Sequence, residues 1–230
     1  MYKLISASAL IVGLAGAASA ATVDFGDFTP GQVLSMNTNF GDGIVADVSA
    51  IGGVAQAVVF DTNNAPSITN DPDLANPFTN SVDSTDTRRF DNALIVQEND
   101  PGTPDDAVGG SLTFEFTSLL SFNDIYLLDS EAGSFVELFL NGMSVEKIDV
   151  TAALDSDTNN NVNNNEFTLL DFDGAQGDTL VVSFLKSGAL GEFEASVVPP
   201  FTPAVPLPAG LPLLLAGMGA FAVMRRTKRS

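Results

Sequence analysis

The sequence predicts an all-β protein: a single jelly-roll-like β-sandwich, flanked by an N-terminal signal peptide and a short C-terminal transmembrane helix. Three observations carry this. Leu112, Phe114 and Phe116 alternate with Thr113, Glu115 and Thr117, the period of two of a half-buried strand. Short apolar runs recur along the chain between turn signals at Asp61-Thr62-Asn63-Asn64, Pro101-Gly102-Thr103-Pro104, Asn141-Gly142, Asp173-Gly174 and Gly177-Asp178. Finally, no stretch of residues 21–198 has the apolar stripe of an amphipathic helix.

Taken in order, strands are expected at 43–50, 54–60, 92–98, 112–117, 121–128, 134–140, 143–150, 166–172, 179–185 and 192–198. Asn141-Gly142, between Val136–Leu140 and Met143–Ile148, is the clearest hairpin signal, because both residues accept the positive φ of a tight primed turn. Many short strands at this spacing suit a sandwich or jelly roll. The segment from Pro77 to Arg89, rich in Ser, Thr and Asp, is expected to be a surface loop.

Charge is segregated along the chain. All 29 acidic residues lie between Asp24 and Glu194, where only Arg88, Arg89, Lys147 and Lys186 oppose them. The net charge of that region is therefore −25. Such a surface repels nucleic acid and anionic headgroups, so no nucleic-acid partner is expected. Cys, His and Trp are all absent. This excludes disulfides, thiol nucleophiles, the Ser-His-Asp triad and the usual zinc ligands. Catalysis would have to rest on Asp and Glu, and no enzymatic function is expected.

The two ends read as targeting segments. Lys3 and the apolar stretch Leu4–Gly16 precede Ala18-Ser19-Ala20, a small-x-small pattern that places cleavage after Ala20 by signal peptidase. Residues 1–20 are thus the signal peptide and 21–198 the acidic β domain. Residues 199–204 form a Pro-rich linker. The remainder, 205–230, has three parts: Val205-Pro206-Leu207-Pro208-Ala209, an apolar run over 210–224, and the basic cluster Arg225, Arg226, Lys228, Arg229. The run is shorter than the ~20 residues of a comfortable span, and the basic cluster would stop transfer on the cytoplasmic side.

This tripartite tail resembles the VPLPA-type variant of the PEP-CTERM sorting signals. The resemblance covers only Val205 to Ser230 but is specific in order and position. It implies an exported protein of a Gram-negative bacterium, transiently anchored in the inner membrane. An exosortase-type enzyme would recognise Val205–Ala209 and remove the tail, and exopolysaccharide is a candidate partner. The middle domain carries a second resemblance, on Val58-Val59-Phe60-Asp61, Asp71-Pro72-Asp73-Leu74, Ala93–Glu98, Asp105-Asp106, Gly109-Gly110 and Thr113–Phe116. It is similar to a β-jelly-roll domain of exported PEP-CTERM proteins, which implies a fold and a setting rather than an activity.

Oxygen-rich loops point to calcium as a candidate cofactor. Asp155, Asp157, Asn159, Asn161, Asn163 and Glu166 fall at positions 1, 3, 5, 7, 9 and 12 of a loop counted from Asp155, the ligand positions of an EF-hand loop. Asn160 stands where that loop requires Gly, and strands rather than helices flank it. The same residues also suit an Asn-rich hairpin connection. Further acidic groups occur at Asp71/Asp73, Glu98/Asp100/Asp105/Asp106 and Asp129/Glu131. Paired carboxylates suit glycoside hydrolysis too, but nothing in the sequence selects a pair. With no Trp, and Tyr126 the only tyrosine beyond residue 2, an aromatic sugar platform is not expected. The reading is therefore a structural or adhesive component of the cell surface or extracellular matrix. A calcium-dependent glycan-binding module is the alternative, and a secreted polysaccharide hydrolase a weaker one.

Overall fold

The computed structural model describes residues 20–63, 74–98, 109–150 and 165–200. The chain divides into two units, Met1–Val198 and Pro199–Ser230. The described residues contain no α-helix and form one hydrogen-bonded sheet of thirteen strands. These are β1 Ala21–Asp24, β2 Val33–Leu34, β3 Thr38–Asn39, β4 Val45–Ile51, β5 Ala57–Phe60, β6 Phe78–Asn80, β7 Thr87–Arg88, β8 Ala93–Val96, β9 Gly110–Leu128, β10 Phe135–Leu140, β11 Met143–Asp149, β12 Glu166–Phe184 and β13 Ala189–Val197. The main order is β11-β10-β12-β9-β13-β8-β5-β2. All pairings between strands are antiparallel except β6 with β12. The all-β class expected from the period-two pattern holds.

The largest difference from expectation is continuity. The segments 112–117 and 121–128 belong to one 19-residue strand, β9, and 166–172 and 179–185 to another, β12. The turn signals inside β12 are irregularities, not breaks. Asp171 pairs with Asp124 and Ala175 with Phe122, so β12 carries extra residues there. Asp173 and Gly174 take φ of 48° and 78° and absorb them as a bulge. Gly177 meets a second constraint, because a Cβ there would lie 2.9 Å from the Phe139 carbonyl oxygen. A local turn signal cannot distinguish a chain reversal from a bulge, since both need the same backbone angles.

These irregularities bend the sheet. The first half of β9 pairs with β4 and with Thr179–Phe184 of β12, and the second half pairs with β13 and with Phe167–Gly177. Phe114 and Phe116, on the first half, pack against Phe193 of β13 at ring-centroid distances of 5.9 and 6.1 Å. Phe116 also meets Phe122, beyond the bend, at 5.6 Å. The sheet thus folds over its own apolar face and takes sandwich character, with Leu112, Val136, Leu138, Leu180 and Val182 buried inside.

A second core covers the other face. In β5, Ala57 and Val59 belong to the first core and Val58 and Phe60 to the second; in β8, Leu94 and Val96 alternate with Ala93 and Ile95 in the same way. This explains why both strands read as continuous apolar runs. The covering material includes the segment expected to be a surface loop. Residues 77–89 hold the β6–β7 pair, and Phe78 is fully buried against Phe90, Tyr126 and Phe167. Asn76 and Thr62 tie it down: Asn76 Nδ2 donates to the Phe90 carbonyl at 2.6 Å, and Phe90 N donates back to Asn76 Oδ1 at 3.0 Å. The polar composition of the segment hid one aromatic anchor, Phe78, and Phe90 just beyond it supplies a second.

The β10–β11 hairpin follows the sequence. Asn141 and Gly142 take φ of 53° and 76°, the two positive angles of a type I′ turn. β11 is an edge strand with an exposed outer surface, and it carries Lys147 and a register shift opposite Leu138/Phe139, devices that discourage edge-to-edge pairing.

Because Phe193 touches Phe114, Phe116 and Phe122 across the folded sheet, Phe193→Ala should cost about 3–5 kcal/mol. Val82→Ser, at an exposed turn, should stay within about 0.5 kcal/mol of the parent. Urea unfolding followed by Tyr126 fluorescence measures both.

Candidate functional site

Two surface features stand out, and they adjoin at β1. The first is an open cleft of ≈ 420 Å³ between β1 and the β3–β4 turn. β1 contributes Thr22 and Asp24, the turn after it Asp27 and Phe28, and the end of β3 Asn39, followed by Phe40 and Asp42. Local turn chemistry fixes the polar groups. Asp24 Oδ1 accepts from Gly26 N at 3.0 Å, and Asn39 Oδ1 accepts from Gly41 N at 2.9 Å. The β3–β4 turn closes with Ile44 N donating to the Gly41 carbonyl at 2.8 Å and Phe40 N to the Ile44 carbonyl at 2.9 Å. Phe40 is braced edge-on by Phe28 at 5.7 Å and Phe25 at 6.3 Å. Among the described residues no Lys or Arg lines the cleft. Its walls therefore accept hydrogen bonds and repel anions, while the two Phe rings supply apolar surface.

The second feature is Arg88 on β7. Arg88 and Arg89 are adjacent in sequence, at the end of the segment expected to be a surface loop. The structure separates them: Arg89 is exposed, whereas Arg88 lies 4.3 Å over the Tyr126 ring and donates from Nη1 to Glu192 Oε1 at 3.0 Å. Glu192 in turn pairs directly with Asp24 across the β1–β13 ladder. Burial pushes the Glu192 carboxyl above the usual carboxylate range, with Asp24 and Glu194 adding to the shift and Arg88 opposing it. Burial also raises the Tyr126 phenol to about 12, Arg88 opposing and Asp124, Glu192 and Glu194 reinforcing. Arg88 thus joins the second core to the acidic face.

The site residues read from sequence fare unevenly. Of the calcium loop, Asp155, Asp157, Asn159 and Asn161 lie outside the described residues; Glu166 opens β12, and its carbonyl accepts from Asp129 N at 2.9 Å. Ala18, Val205, Pro206, Leu207, Pro208, Ala209, Arg225, Arg226, Lys228 and Arg229 also lie outside them, as do Asp71, Asp73, Asp100, Asp105 and Asp106; Ala20 is the first described residue. Asp129 and Glu131 are engaged separately, Asp129 by the Ser187 hydroxyl at 2.6 Å and Glu131 by Lys186 at 2.9 Å. Among the described residues no three acidic side chains converge as a metal-binding group. Sequence reasoning missed the cleft. Its signals were the Gly26-Asp27 and Gly41-Asp42-Gly43 turns, which come to one cleft only once β1 is paired with β13 and β3 with β4.

No protein-family model matches the chain, and no curated protein matches it. Among solved structures it is similar to a fucose-binding module of Streptococcus pneumoniae, at 19% identity over 40% of this chain and 67% of that one, with a TM-score of 0.29. A second fucose-binding module of that species gives 11% identity over 43% and 71%, with a TM-score of 0.26. Similarity of this extent assigns no ligand to this chain.

Tyr126 is the only tyrosine beyond residue 2, so tyrosinate absorbance reports it alone in any chain that starts at Ala21. In the folded protein it should titrate near 12, falling to about 10 in denaturant. The unfolded chain gives up this proton first, so stability should fall as pH rises from 10 through 12. The sign is the same for Glu192: its contribution is present below 4.5 and is lost as pH rises through its raised folded value. Glu192→Gln should remove that loss, read as a flatter melting-temperature profile across mildly acidic pH.

Proposed function

We propose that the chain is an exported cell-surface or matrix protein, and that its acidic jelly-roll-type β domain is a passive structural or adhesive unit. The observation that carries this is where, among the described residues, the sheet starts and stops. β1 begins at Ala21, directly after the expected cleavage site, and β13 ends at Val197, directly before Pro199-Pro200. The folded unit would then be what remains once a leader and a sorting tail are removed. The two-sided core needs no disulfide, which suits a domain assembled after export without cysteine. In this reading Val205–Ala209 is recognised by an exosortase-type enzyme, residues 210–224 hold the chain in the inner membrane, and Arg225–Arg229 stop transfer. Deleting residues 205–230 should send the domain to the medium unretained. Equal distribution and equal mature C-termini for the full and deleted chains would defeat the reading.

The cleft favours a second reading, a glycan-binding module. Carboxylates and an amide accept sugar hydroxyls, and Phe28 and Phe40 offer apolar surface to a ring face. Calcium would enter through the Asp155–Glu166 loop, at a distinct place in the chain. Affinity electrophoresis in the producing organism's exopolysaccharide separates the possibilities. Retardation lost in Asp27→Asn/Asp42→Asn supports the cleft, whereas retardation lost with chelator or in Asp155→Ala/Glu166→Ala supports the loop. Unretarded migration leaves the structural role.

A further inference from the structure

We propose that cleavage after Ala20 completes the domain electrostatically, because the α-ammonium created on Ala21 forms an ion pair with the Asp42 carboxylate. This rests on the cleavage expected for the exported chain, and goes beyond it by giving the new terminus a partner.

Ala21 and Asp42 line one small cleft of ≈ 240 Å³, together with Ala20, Ile44 and the Ala195–Val197 end of β13. Neither wall hangs free. β1 is held by four consecutive pairings with β13, from Ala21 opposite Ala195 to Asp24 opposite Glu192. Asp42 sits in the β3–β4 turn at a φ of 49°, between Gly41 and Gly43, and the turn is anchored by buried Ile44. Among the described residues the Asp42 carboxylate has no hydrogen-bond or ion-pair partner; the three ion pairs use Glu192, Asp149 and Glu131.

In the unprocessed chain the Ala21 nitrogen is a neutral amide. Signal peptidase uses water to break the Ala20–Ala21 bond. The Ala20 carbonyl carbon takes the oxygen and leaves as a carboxylate on the leader, and the nitrogen becomes an ammonium. That is one new positive charge at a place otherwise surrounded by carboxylates. Asp42 lies across the cleft, Glu194 faces Thr22, Asp24 and Glu192 pair at the far end of β1, and Asp27 lines the adjoining cleft. Among the described residues Arg88 is the one base paired with any of them, and it is engaged with Glu192. The new terminus is therefore the cation the edge lacks. A cut one residue later would begin the chain inside the β1–β13 ladder and remove its first rung.

The test compares the exported, processed chain with the unprocessed full-length chain made without export, each as wild type and Asp42→Asn. Asn is the mildest change here, because it is among the residues most tolerant of positive φ. In the processed wild type, pH-dependent acylation should place the α-amine about half a unit above the ordinary range of about 7.7–8.0, and Asp42→Asn should return it to that range. Asp42→Asn should lower the melting temperature of the processed chain, and leave unchanged or raise that of the unprocessed one, where it only removes a repelling charge. Acetylating the α-amine should lower the melting temperature of the wild type more than that of Asp42→Asn. N-terminal sequencing divides the failures. A first residue other than Ala21 overturns both the cleavage site and the pair. A first residue of Ala21 with an α-amine insensitive to Asp42→Asn, or with equal melting shifts in both forms, overturns the pair and leaves the cleavage site standing.

Discussion

The antiparallel pairing of Gly110–Leu128 with Glu166–Phe184 holds the sheet together, because among the described strands those two run through both arms of its bend. β4 and β13 dock on opposite halves of the first strand, and β10 docks on the far half of the second. Bending would break a flat ladder. Here Asp173 and Gly174 absorb the surplus residues at positive φ, and Gly177 lets the Phe139 carbonyl approach where a side chain would block it. The bend brings Phe114, Phe116, Phe122 and Phe193 into one cluster of edge-to-face and tilted contacts. Apolar burial of this kind is what a cysteine-free domain has in place of covalent cross-links.

Electrostatics works against this core, not with it. Asp24 faces Glu192, Asp124 faces Asp171, and Asp47 faces Glu115, each directly across a ladder. Like charges so placed destabilise a sheet, each pair by up to about 1 kcal/mol before screening. A fold tolerates such pairs when the apolar surplus is ample and the exterior has another task. Solubility and repulsion of anionic surfaces are the direct physical consequences. Arg88 is the local remedy at the partly buried Glu192, and its stacking on Tyr126 makes the remedy part of the packing.

Much of the fold was legible in sequence. Alternation at Leu112–Thr117 marked an inward and an outward face, and the apolar runs at Val58–Phe60 and Ala93–Val96 marked strands, whose burial on both sides came from the structure. Asn141-Gly142 identified its hairpin because two adjacent residues tolerant of positive φ have few other uses between strands. Asp173-Gly174 misled for the same reason, since a bulge demands the same angles. Residues 77–89 misled because composition averages over a segment, and Phe78 within it and Phe90 just after it carry the burial. The cleft was illegible, because Asp24, Asp27, Asn39 and Asp42 are ordinary turn residues until β1 and β3 are placed beside one another.

By itself the sequence determined the class of the molecule: an acidic, cysteine-free, histidine-free β chain, with a small-x-small pattern before Ala21 and a Pro-rich break after Val198. These are properties of composition and of near neighbours, and side-chain period and backbone preference act locally. Only the tertiary structure decided that two pairs of expected strands are two long ones, that Arg88 stacks on Tyr126 of the second core, and that Ala21 and Asp42 share a cleft. Each of those depends on which distant segments pair and in what register, and register is set by the burial of the whole apolar face at once rather than by any residue's own preference.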